Sequence, residues 1–112
     1  MVHVKLEKKG EDVTKVEAKG HAGYAKYGKD IVCAAVSSVM QTALLGVKDV
    51  SDANVSYVSN DETGYLSFTI TDATEDVRVK QQAILRAMEL GLRDLEKGYK
   101  AYVKMEVNLQ CL

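Results

Sequence analysis

The sequence predicts an α+β domain in the order β-β-α-β-β-α-β, a mostly antiparallel sheet packed with two helices. Three observations carry that prediction. Apolar residues alternate with a period of two in five short segments, and recur every three or four positions in two long ones. Glycine, asparagine and aspartate stand at the joints between them, in a chain without proline.

Residues 1–8 set Val2, Val4 and Leu6 against His3, Lys5 and Glu7, the pattern of a half-buried strand. Lys9-Gly10-Glu11-Asp12 reads as a hairpin turn, and a second strand over residues 13–19 puts Thr14, Val16 and Ala18 on one side. The next ten residues, 20–29, contain three glycines and no period, which predicts a mobile loop. Asp30 then caps a helix running to about residue 45, with Gly46 as its stop. That helix is apolar nearly all round, so it is predicted to be buried on more than one face. Segments 53–60 and 64–71 form a hairpin around Asn60-Asp61-Glu62-Thr63, with Leu66, Phe68 and Ile70 sharing a face. A second helix over 75–97 is capped by Thr74 and carries Val77, Gln81, Ile84, Met88, Leu92 and Leu95 as one stripe. Gly98 ends it, and Val103, Met105, Val107 and Leu109 alternate through a last strand.

Composition narrows the function. The chain has 112 residues, 46% of them hydrophobic, which suits one domain with a real core. Fifteen basic residues balance sixteen acidic ones for a net charge of −1, which argues against a dedicated nucleic-acid binder. The opening MVHVKLEKKG lacks the uninterrupted apolar region of a signal peptide. No stretch is expected to reach the roughly 18 apolar residues of a membrane span. The expected location is the cytoplasm, with neither membrane nor nucleic acid as a direct partner. Cys33 and Cys111 match no CxxC motif and are expected as free thiols. With two histidines they make a poor zinc set, and no metal or cofactor is expected.

One stretch can carry chemistry. With Asp30 as N-cap, Cys33 is the third helical residue, where unpaired N–H groups and the helix dipole favour a thiolate. The same N–H groups could hold an oxyanion. His21 lies twelve residues earlier, across a loop that can fold back to form a nucleophile–base pair. Tyr24 and Tyr27 either line a substrate groove or pack over the sheet. Ser37, one turn after Cys33, either holds substrate or water or back-bonds to the Cys33 carbonyl. A packed cysteine beside a solvated histidine is the plainer reading of the same residues. His3 falls on the polar strand face, and Cys111 has no partner motif.

Gly20-His21-Ala22, followed after an interval by Asp30-Ile31-Val32-Cys33-Ala34-Ala35-Val36-Ser37, resembles the signature of the ribosomal-processing cysteine proteases, the Prp family. The resemblance is specific over residues 20–38 and looser elsewhere. It implies that residues 1–112 form a single cysteine-peptidase domain without cofactor, in which Cys33 is the nucleophile and His21 the general base. Gly20, Asp30 and Ser37 match positions flanking them. The implied activity is removal of a short N-terminal extension from the large-subunit ribosomal protein numbered twenty-seven, whose precursor would be the substrate partner. A homodimer is implied as well, and residues 23–28 are expected to close over the substrate. The rival reading is a non-catalytic ribosome-associated protein-binding module whose cysteine only packs.

Overall fold

The computed structural model describes residues 1–26, 30–71 and 73–110. Its elements run β1 (Val2–Lys9), β2 (Asp12–Lys19), α1 (Ile31–Asp49), β3 (Val55–Asn60), β4 (Tyr65–Ile70), α2 (Glu75–Gly98) and β5 (Val103–Gln110). The expected order is therefore realised. The five strands form one sheet in the order β3-β4-β2-β1-β5. Three neighbouring pairs are antiparallel, and β1 pairs with β5 in parallel. The long helix α2 supplies the crossover that a parallel connection requires.

Alternation along β1 buries Val2, Val4 and Leu6 and leaves His3 and Lys5 exposed. One face of the sheet thus meets the helices and the other meets solvent. The buried face joins Val16, Ala18 and Phe68 to Val32, Val36, Met40 and Leu85 in a single apolar cluster. Beside it, Glu89 is 1% exposed and binds Lys8 at 2.7 Å, Arg86 at 3.0 Å and Arg93 at 3.1 Å. A buried carboxylate is tolerable because those cations surround it.

Four local expectations are corrected. Thr14 does not share a face with Val16: the register shifts between Glu7 and Lys8, so Lys8 faces Val13 and Glu7 faces Lys15. Val13 is buried in its place, as a one-residue bulge dictates. Gly46 does not stop α1, which continues to Asp49 with Val50 as its cap. A Cβ at Gly46 would stand 3.3 Å from Ile84 Cγ2, so this glycine serves close packing of α1 on α2. Nor is α1 buried on more than one face: its buried residues make one stripe, and Ile31 and Leu45 are each 57% exposed. Finally, α1, at 19 residues and a mean hydropathy of 1.6, is long and apolar enough by length and composition to cross a membrane. Here Val32, Val36, Met40, Ala43, Leu44 and Val47 fill the core instead.

Candidate active site

Asp30 organises the site. It sits at the N-cap of α1, 7% exposed, and its Oδ1 accepts the N–H groups of Val32 and Cys33, each at 3.0 Å. Its Oδ2 accepts the N–H of Tyr24 at 3.0 Å and of Ala25 at 3.4 Å. Burial pushes the carboxyl upward, but these four amide donors outweigh it and hold Asp30 below the usual carboxylate range. One carboxylate therefore both caps the helix and anchors the loop that follows His21. Its expected alternative, orienting His21, is not among its described bonds.

The cap also changes the electrostatics foreseen for Cys33. The Val32 and Cys33 amides already serve Asp30, so they are not open donors for an oxyanion. Burial raises the Cys33 thiol above its ordinary pKa, and the nearby Asp30 charge raises it further. The opposing donor is the Ala22 N–H, 3.0 Å from Sγ. The resting thiol is thus not the depressed one that helix position alone predicts. A carboxylate at the N-cap offsets the dipole that would have favoured the thiolate.

His21 is exposed and lies between two glycines with left-handed backbone. Gly20 has φ +94°, and a Cβ there would be 2.7 Å from the Met1 carbonyl oxygen. Gly64, at φ +67° after the β3–β4 turn, faces the Gly20 oxygen, which a Cβ would meet at 2.8 Å, and His21 Cε1, at 2.9 Å. The Gly20 N–H donates to the Gly64 carbonyl at 2.9 Å. His21 Nε2 is 3.3 Å from the Glu62 carbonyl, and the Met1 ammonium donates to the His21 carbonyl at 2.7 Å. The β3–β4 turn thus cradles the imidazole.

His21 and Cys33 line one groove of about 860 Å³ between α1 and the β3–β4 hairpin. Gly20, Asp30 and Ser37 also line it. The Ser37 hydroxyl accepts from Gln41 Nε2 at 2.8 Å, and a back-bond to the Cys33 carbonyl, one of its two expected alternatives, is not among its described bonds. Tyr24 packs edge-on against Tyr99 and Tyr102, with ring centroids 5.9 Å and 5.2 Å away, and does not line the groove. Tyr27 and Cys111 lie outside the described residues, as do the last two residues of the predicted lid. The part that is described, 23–26, is fastened to Asp30 and the tyrosine pair.

Sequence reasoning missed the Ala22 amide, the Gly64 cradle, and the hairpin wall with Tyr57, Ser59 and Asp61. Gly64 alone left a signal, as a glycine closing a polar turn.

A family model described as cysteine protease Prp matches residues 1–104. The ribosomal processing cysteine protease Prp of Bacillus subtilis is 28% identical over 94 residues, covering 83% of this chain and 84% of that one. Among crystal structures, SMU.848 from Streptococcus mutans superposes with a TM-score of 0.86 at 28% identity, over 98% of this chain and 96% of that chain. The essential ribosomal processing protease Prp from S. aureus, in complex with a covalently linked product peptide, gives 0.85 at 27%, over 98% and 100%.

Proposed function

We propose, for a chain that belongs to the Prp family of cysteine proteases and is therefore a cysteine peptidase, that a Cys33–His21 dyad removes a short N-terminal extension from the large-subunit ribosomal protein numbered twenty-seven. The observation that supports this most is Cys33 at the start of α1, in the same peptide-sized groove as His21. The S. aureus relative, solved in complex with a covalently linked product peptide, supports a reaction that passes through a covalent peptide adduct.

In this reading His21 takes the Cys33 proton as substrate enters, which compensates for the raised thiol. Sγ attacks the scissile carbonyl, the tetrahedral adduct collapses, and the imidazolium protonates the departing amine. Water, deprotonated by His21, then attacks the thioester, releasing the acyl product and returning the thiol. The Ala22 N–H stabilises negative charge on sulfur at the start and end of the cycle. Gly20 and Gly64 hold the imidazole, and Asp30 ties its loop to the nucleophile's helix.

The deciding experiment is incubation with the precursor, read by intact-mass spectrometry. One cut in the extension by the wild-type protein, absent in Cys33→Ala and in His21→Ala, is the expected result. An uncut precursor with the active protein would reject this substrate, and full activity in Cys33→Ala would reject the nucleophile. The protein is proposed to act in the cytoplasm as a homodimer. Light scattering that returns only monomer at micromolar concentration would refute the dimer.

A further inference from the structure

We infer that Lys48 and Tyr57 form a selective far end to the groove, favouring a carboxylate or other hydrogen-bond acceptor in the substrate and rejecting a cation there. The inference rests on the peptidase reading. Cys33, Ser37, Met40, Leu44 and Lys48 line the groove at steps of three and four residues, so it follows one face of α1. The fifteen residues from Cys33 to Lys48 rise about 22 Å at ~1.5 Å per residue. That length fits roughly six or seven residues of extended chain at ~3.3 Å each.

Met40, Leu44 and Leu45 line the middle of the channel beside the polar Gln41, with Met40 and Leu44 themselves buried. Leu45 is 57% exposed and Tyr57 is 54% exposed. Concave apolar surface left open to water is where a ligand gains most. Its continuity with Cys33 makes the occupant an extended stretch of the substrate itself.

The far end differs in charge. Among the described lining residues Lys48 is the one lysine or arginine. His21, Asp30 and Asp61 lie at the opposite end, around Cys33 and the β3–β4 turn, and Asp30 is already committed to four amides. Pairing of Tyr57 with Phe68 turns its ring to the helix side of the sheet. Lys48 Nζ sits over that ring, 5.6 Å from its centroid. An aromatic face holds an exposed ammonium more weakly than a carboxylate does, so a substrate acceptor can recruit it. A substrate cation would meet repulsion instead.

The test uses the folded Cys33→Ser protein, which binds without turnover, and fluorescent apolar peptides of about twelve residues. Each carries one Glu or one Lys, walked along both sides of the cleaved bond, and binding is read by anisotropy. At one position five to eight residues from the bond, Glu should bind about fivefold tighter than Lys, as one exposed charge pair allows. Adding Lys48→Glu should invert that preference, and Lys48→Arg should keep it. Lys48 is exposed, so neither change threatens folding. A Glu-to-Lys ratio that is the same with Lys48→Glu at every position, or peptides that do not bind, would overturn the inference. Peptides that bind with the expected ratio but are not cut by the active protein would count against the proposed function alone.

Discussion

The backbone N–H of Ala22 donates to the sulfur of Cys33 at 3.0 Å. The residue after the histidine is thereby tied to the nucleophile, although the two lie eleven positions apart. A half-buried thiol that keeps one donor and faces one carboxylate is a resting nucleophile, armed only when a base takes its proton.

This resting state has a pH signature. Because burial and Asp30 raise the thiol, the thiolate fraction at neutral pH is below that of an ordinary cysteine. Alkylation of the free protein by iodoacetamide should therefore be slow near pH 7 and climb through the alkaline range. A rate that levels off below neutrality would show a depressed thiol and refute the geometry.

Asp30→Asn separates thiol chemistry from catalysis. Removing the charge should speed alkylation of Cys33 several-fold, since one cause of its raised pKa is gone. Peptide cleavage should fall, because an amide nitrogen cannot accept both the Tyr24 and Ala25 N–H groups as Oδ2 does. Amide exchange at Tyr24 and Ala25 should be slow in the free wild-type protein and fast in the variant. Unchanged exchange at both would mean the carboxylate does not hold the loop.

Gly64→Ala should damage the site and Gly10→Ala should not. Both have left-handed backbone, at φ +67° and +64°, so each substitution costs about 1–2 kcal/mol from strain alone. Only at Gly64 would the new methyl collide, with the Gly20 carbonyl and His21 Cε1. The expectation is a large fall in kcat for Gly64→Ala and near-normal kcat for Gly10→Ala. Equal activities would show that the cradle does not position His21.

Glu89→Gln probes the core. Stripping one side of a buried ion cluster costs about 3–5 kcal/mol, and the lower end applies because Arg86 and Arg93 are 60% and 47% exposed and can rehydrate. Burial raises the Glu89 carboxyl, but Lys8, Arg86 and Arg93 outweigh it and leave its pKa lowered. Its contribution is therefore present above the unfolded value, about 4.3, and lost as pH falls through the folded one. Denaturation by urea should show the full gap at pH 7 and a narrowing gap below about pH 4. A constant gap would contradict the ionised state.

The order of elements was legible because alternation along β1 and the stripe of α2 are local patterns that survive folding. Asp30 as a cap and Cys33 in the first turn were legible for the same reason, since both depend on residues within three positions. The Thr14 bulge was not, because a register shift belongs to a strand pair. Gly46 misled because a glycine that ends a helix and one that admits a neighbouring helix look alike in sequence, and only Ile84 distinguishes them.

What the sequence by itself determined is the set of parts: two helices, five strands, and a cysteine and a histidine at the ends of one glycine-rich stretch. Their placement and ionisation were decided by tertiary structure alone. Cys33 is raised rather than lowered because packing partly buries it, and because Asp30, the residue that caps its helix, also brings a negative charge beside the sulfur. His21 is held by Gly64 and Glu62, more than forty residues away, because β4 pairs with β2 and carries the hairpin turn to the loop. Electrostatics and close approach are sums over neighbours in space, and a linear pattern records only neighbours in sequence.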